Sequence, residues 1–316
     1  MIGLYISLGV IGLLVVIYLI FSIYIGYTTF HSPNKQQLKD GDYPSDPKWK
    51  ASLETVIDLL HTLQNLPCED VYIDSYDKHS LHARYYEHKK GAPIAILCHG
   101  YRGTANRDFC GGFFIFKELN YNILLIDERA HGLSKSKFTT MGVKERRDVK
   151  SWADYIANRF PDSDIVLVGI SMGGCSVLMS AELNLPKQVK AICADCPFDS
   201  PSNIVKKVCK EDMHIPLWLG WPVLFLGAIL VGHFNLIKGD TKQAVKNVNI
   251  PILLIHGEED YFVPAKMSED IYLSNPSMIK RYTFPRASHG LSFIVDRERY
   301  KQIVKDFLNE AIKNNA

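Results

Sequence analysis

From Ile2 to Phe30 the chain carries no Asp, Glu, Lys, Arg or His. A helix crosses a bilayer core of roughly 30 Å with about 20 apolar residues, and this run is longer than that. Soluble cores seldom hold so long a helix without a charge, so the run reads as membrane-spanning. A cleaved signal peptide is the rival reading. It would need a basic start, a short apolar centre and a small-x-small cleavage site. Here the Met1 amine is the sole charge ahead of the run, and Tyr27-Thr28-Thr29-Phe30 closes it. The sequence therefore predicts an uncleaved single-span anchor over residues 1–30, with Tyr18, Tyr24 and Tyr27 toward one interface. Lys35, Lys39, Lys48 and Lys50 follow the run. The positive-inside rule then places the rest of the chain in the cytoplasm, attached to the cell membrane. The seven cysteines are odd in number and lack a repeated spacing, which fits free thiols in a reducing compartment.

Composition excludes one class of partner. Lys plus Arg number 36 against 34 Asp plus Glu, a net charge of +2. Nucleic-acid binding normally needs a clustered basic surface, so no nucleic-acid partner is expected. With 47% apolar residues the chain can bury a sizeable core.

After the anchor, residues 31–70 read as a juxtamembrane linker and an amphipathic helix. Asp46 is placed to cap that helix and Pro47 to start it. Trp49, Leu53, Val56, Leu60 and Leu63 make one apolar stripe, expected to pack on the main domain, and Pro67 ends it. Short apolar runs then follow at residues 71–75, 81–86, 94–98, 123–126, 165–169, 189–194, 252–255 and 281–284. Helix-length stretches separate most of them. The pattern predicts an α/β fold with an eight-stranded, mostly parallel sheet and helices on both faces, over residues 71–316. One insertion, about residues 197–249, is too long for a plain crossover. Its apolar stretch Leu217 to Phe234 is interrupted by Gly220, Pro222, Gly227 and Gly232. That length and those breakers favour a helical lid over a second membrane span.

The residues that carry chemistry follow the strands. Gly169-Ile170-Ser171-Met172-Gly173 succeeds the apolar run at 165–168 and precedes a helix-like stretch. This is the strand–turn–helix context of a nucleophile elbow, in which Ser171 projects from a strained turn between glycines. A serine nucleophile needs a base, and the base needs an orienting acid. His289 follows the last strand and Asp260 the one before it, in the chain order Ser, Asp, His. Asp195, Glu258 and Glu259 are rival acids, Asp195 the strongest because it ends a strand. The oxyanion donors are expected to be the backbone N–H groups of Met172 and of Tyr101, the latter in His99-Gly100-Tyr101-Arg102-Gly103. Arg102 could steer an acidic group of a substrate. Cys193-Ala194-Asp195-Cys196 matches Cys-x-x-Cys without a thioredoxin-like context, and no His/Cys cluster has zinc-ligand spacing.

Together these motifs resemble the serine α/β-hydrolase superfamily. The chain is similar to uncharacterised, membrane-anchored bacterial members near the serine aminopeptidase and acyl-thioester hydrolase branches. Asp127-Glu128-Arg129-Ala130-His131-Gly132-Leu133-Ser134 resembles the family's Asp-x-Arg-Gly-His-Gly-x-Ser loop, with Ala130 in place of glycine. His256-Gly257 through Asp260, with Val263-Pro264, resembles its acid loop. The matches cover roughly residues 71–310. The resemblance implies Asp260 rather than Asp195 as the acid, and a variable lid that shapes substrate choice. The expected activity is hydrolysis of a lipophilic acyl ester or thioester through an acyl-enzyme, with no cofactor and no metal. A peptidase or acyltransferase on the same fold, or a catalytically silent membrane-tethered binding protein, is the alternative. Substrate identity and oligomeric state are not encoded in these motifs.

Overall fold

The computed structural model describes residues 1–32 and 46–313, so the expected linker residues 33–45, including Lys35 and Lys39, lie outside the described residues. All eight expected strands form, with ends shifted by a residue or two. They are β1 (Glu69–Asp74), β2 (Ser80–Tyr86), β3 (Ile94–Cys98), β4 (Asn122–Asp127), β5 (Ile165–Ile170), β6 (Val189–Asp195), β7 (Ile252–Gly257) and β8 (Ile279–Phe284). Their order in the sheet is β1-β2-β4-β3-β5-β6-β7-β8. β2 pairs antiparallel with β1 and β4, and the remaining pairs are parallel.

Sequence explains which strands lie in the middle. β3, β4 and β7 are buried at every position and are almost continuously apolar, as a strand covered on both faces must be. β8 alternates, with Lys280 exposed and Phe284 buried, and it closes one edge. One face packs Ile94, Ile96, Leu124 and Leu167 on Trp152 and Ile156 of the helix Glu145–Arg159. The other packs Leu97, Leu125 and Val168 against Phe109, Phe113 and Phe307.

The expected single helix after Asp46 is two helices, Pro47–Ala51 and Leu53–Gln64. Ser52 separates them at φ −98°, ψ 0°, and its hydroxyl donates to the Lys48 carbonyl at 3.0 Å. A serine that bonds back to the preceding turn competes with the helical ladder and bends it. The apolar stripe still packs on the sheet domain. Trp49, Val56 and Leu60 gather with Cys110 and Leu291, and Leu63 enters the core on the same side.

The N-terminal helix Ile2–Phe30 is long and apolar enough to cross a membrane. Its first twenty residues are exposed apart from half-buried Tyr18. Ser22, Gly26 and Phe30 are buried against the insertion between β6 and β7. That insertion holds the helix Pro201–Lys207, a π-helical turn Val208–Asp212, the apolar helix Leu217–Leu230 and the helix Thr241–Val245. At 14 residues, Leu217–Leu230 extends about 21 Å, short of a bilayer core. The Phe30 ring stands edge-on to Phe234 at 5.1 Å, and the Phe30 carbonyl accepts from the Thr139 N–H at 2.9 Å.

Candidate active site

Ser171 sits between β5 and the helix Met172–Ser180 with φ 55° and ψ −117°. A non-glycine residue at positive φ is strained, and the neighbouring glycines show what holds it there. A Cβ on Gly173 would lie 1.9 Å from the Cys98 carbonyl oxygen, and one on Gly169 would lie 2.3 Å from the Gly173 backbone. Only glycine lets strand and helix approach so closely. The Ser171 N–H donates to the Asp195 carbonyl at 2.8 Å, which ties the turn to the neighbouring strand.

The three residues expected to act together are in contact. His289 Nε2 lies 2.9 Å from Ser171 Oγ, and its Nδ1 lies 2.6 Å from Asp260 Oδ2. Asp260 is fully buried, and its other oxygen accepts from the Val263 N–H at 2.8 Å and the Phe262 N–H at 3.0 Å. Burial pushes the Asp260 carboxyl up, but the facing His289 and His256 imidazoles outweigh it and hold the group well below the usual carboxylate range. For His289, burial favours the neutral ring. The Asp260 charge and hydrogen bond outweigh that, so its pKa lies above the ordinary 6.5.

The rival acids are engaged elsewhere. Asp195 is buried and accepts from Ser292 Oγ at 3.4 Å, and burial lifts its carboxyl to about 6. Glu258 accepts from Thr283 Oγ1 at 2.7 Å, and Glu259 pairs with Lys48. Cys193 and Cys196 are both free and buried. Cys196 Sγ lies 3.9 Å from His289 Nε2, and its ligand atom groups with those of Asp260 and His289. Burial pushes the Cys196 thiol up, so it stays protonated, and Asp260 and His289 bond to each other. A metal at this place would have to break that pair.

The loop after β3 lies against the serine. A Cβ on Gly100 would meet Ser171 Cβ at 3.4 Å, so the adjoining Tyr101 backbone borders the nucleophile. Asp108 holds this loop by accepting from the Gly100 N–H at 2.9 Å, while Arg107 Nε pairs with the same carboxylate at 2.7 Å. The Tyr101 hydroxyl donates to the Thr29 carbonyl at the end of the N-terminal helix. Arg102 donates to the Thr28 carbonyl and lies over the Tyr101 ring at 5.2 Å. A guanidinium on a helix's last carbonyls satisfies acceptors that lack an intrahelical partner. Arg102 thus faces the helix end, and Arg102→Ala is expected to leave the ratio of kcat/KM for anionic and neutral esters unchanged.

A second group was invisible to motif reading. Trp49 Nε1 donates to the His289 carbonyl at 3.0 Å, Ser288 Oγ donates to Asp46, and Lys48 donates to Glu259 and, at 2.7 Å, to the Arg286 carbonyl. Asp46 also caps its helix as expected, accepting from the Lys48 N–H at 2.7 Å. The short helix Pro47–Ala51 therefore clamps both loops that carry His289 and Asp260. With Asp46 and Trp49 on one wall and Tyr101, Ile170, Tyr261 and Phe262 around it, the cleft over Ser171 encloses about 660 Å³. That size suits a small organic ligand.

Comparison with known proteins agrees with this architecture. A family model described as the alpha/beta hydrolase fold matches residues 93–220. Uncharacterized protein YqkD of Bacillus subtilis is 24% identical over 215 residues, covering 68% of this chain and 70% of that protein. The esterase Pf2001 of Pyrococcus furiosus superposes with a TM-score of 0.67 at 22% identity, covering 89% of this chain and 98% of that one. Est1E from Butyrivibrio proteoclasticus, solved with ferulic acid bound, gives a TM-score of 0.59 at 23% identity, covering 77% and 99%.

Proposed function

We propose, from the α/β-hydrolase fold these matches establish, that the chain is a membrane-anchored serine hydrolase acting on a lipophilic acyl ester or thioester. The observation that carries the reading is His289, bridged at 2.9 Å to Ser171 Oγ and at 2.6 Å to Asp260. A base held by a buried carboxylate, against a serine on a strained turn, is the arrangement nucleophilic acyl transfer requires. The esterase name of the structural neighbour Pf2001 points the same way.

Ser171 Oγ attacks the acyl carbonyl carbon while His289 Nε2 takes its proton. The carbonyl oxygen becomes an oxyanion, placed for the Met172 and Tyr101 N–H groups. Each such donor contributes about 3 kcal/mol in the transition state. His289 then protonates the leaving alkoxide or thiolate. Water, deprotonated by the same imidazole, attacks the acyl-enzyme and releases the acid. The apolar cleft wall supplied by Trp49, Ile170 and Phe262 suits an acyl chain. The charge-free helix Ile2–Phe30 supports attachment to a membrane, with the catalytic domain on its cytoplasmic side as the following lysines favour.

Labelling by a fluorophosphonate tests the chemistry. The intact protein should be labelled stoichiometrically and Ser171→Ala should not be labelled at all. An unlabelled wild type, or unchanged labelling of the variant, contradicts the mechanism.

A further inference from the structure

The lid helix Leu217–Leu230 carries no charge, and its outward side is apolar. Trp218 is 79% exposed, and Leu219, Ile229 and Leu230 are exposed with it. Water is a poor neighbour for four such side chains on one short helix. What lies beside them sets the alternative. The lid helix crosses the N-terminal helix so closely that a Cβ on Gly227 would lie 2.6 Å from Gly26 Cα and 2.7 Å from the Ser22 carbonyl oxygen. Small residues permit this backbone approach between membrane-associated helices.

The depth follows from lengths. Ile2–Phe21, the part of the N-terminal helix ahead of its first buried residue, Ser22, spans about 30 Å, enough for the bilayer core alone. The crossing at Ser22 and Gly26 begins where that span ends, at the level of the headgroups. Trp218 and Trp221 have the amphipathic ring that this level favours. Lys206 Nζ lies 4.5 Å from the Trp221 ring centre, a cation beside the apolar face where anionic headgroups would sit.

We infer that Leu217–Leu230 is an interfacial helix, bedded in the same leaflet that the N-terminal helix leaves, and that its partner is the lipid surface. The inference rests on the anchor reading of Ile2–Phe30. It bears on substrate access, because Lys207 Nζ joins Asp212, just ahead of the lid helix, to the Tyr261 carbonyl on the cleft rim, at 2.7 and 2.6 Å. The cleft mouth and the bilayer-facing helix are thus tied together. An acyl ester resident in the membrane would reach Ser171 without first entering bulk water.

The test reads position and not activity, so it is independent of the hydrolase mechanism. The full chain is reconstituted in vesicles of phosphatidylcholine and phosphatidylglycerol whose acyl chains are brominated near the glycerol end. Of the four tryptophans, Trp49 and Trp152 are buried in the sheet domain. Wild-type emission should fall against unbrominated vesicles, and the pair of substitutions Trp218→Phe and Trp221→Phe should abolish most of that fall. Adding Ile17→Trp to that double variant reports on the span itself and should restore quenching. Wild-type emission that is not quenched, beside a quenched Ile17→Trp reporter, overturns the interfacial helix and leaves the anchor standing. If neither is quenched, both readings fall. Quenching that survives the double substitution also overturns the inference, since the signal then comes from elsewhere.

Discussion

Asp260→Asn should lower kcat by about 10⁴-fold, with KM changed far less. The reason lies in the tautomer of His289. The carboxylate accepts a hydrogen bond from Nδ1–H, leaving Nε2 free to accept from Ser171 Oγ. Asparagine can keep one oxygen on the Val263 and Phe262 N–H groups, as Asp260 does now. It then presents an NH₂ group to Nδ1, which must become the acceptor. The ring proton moves to Nε2, and a donor faces a donor at the serine. The geometry survives and the base is lost. The pH profile supplies a second readout. In the proposed mechanism His289 acts as a base only when neutral, so kcat/KM should rise with pH through its pKa, which Asp260 lifts above 6.5. Without the Asp260 charge, burial dominates and the acid limb of the residual activity should move to lower pH. An Asp260→Asn enzyme within tenfold of wild type would remove Asp260 from the mechanism and return attention to Asp195.

Much of this site was legible because it is local in sequence. Strand, turn and helix around Ser171 follow one another within a few residues, and the glycines announce the tight packing that the Cys98 carbonyl then requires at Gly173. Asp260 and His289 lie far from Ser171 in the chain, yet each follows a strand of a parallel sheet. The C-terminal strand ends of such a sheet converge on one crevice, so position alone brings the residues together. The residues that escaped are those whose partners no periodicity reveals. No motif singles out Asp108, whose oxygen accepts from the Gly100 N–H. The glycines at 26 and 227 read as a helix residue and a helix breaker, and their meeting depends on where the insertion between β6 and β7 folds back. Arg102 lies in the loop after β3, and no motif announces that its guanidinium donates to a helix end more than 70 residues earlier in the chain. Trp49 reads as one member of an apolar stripe. Its indole N–H, the part that reaches the His289 loop, has no sequence signature.

A chain beginning at Val71, where the sheet domain was expected to start, should fail to fold into a stable hydrolase. It lacks Trp49, Val56, Leu60 and Leu63, all buried on the sheet domain. Burying one large apolar side chain contributes about 1.5–3 kcal/mol, so the four together contribute about 6–12 kcal/mol. A domain's whole stability is of the order of 5–15 kcal/mol, and the loss consumes most of it. Cys110 and Leu291 would also be uncovered, next to the cleft. The expected result is aggregation, or a soluble fragment without a cooperative unfolding transition. Trp49→Phe in the full chain separates the clamp from the packing. Phenylalanine keeps the ring in its place but cannot donate to the His289 carbonyl, and small displacements of a catalytic base cost up to about 10²-fold in rate. Thermal unfolding of this variant should stay close to wild type while kcat falls about tenfold or more. If the Val71 fragment is instead as stable and active as the full chain, the helices between Ile2–Phe30 and the sheet are a tether, and the clamp on His289 is incidental to catalysis.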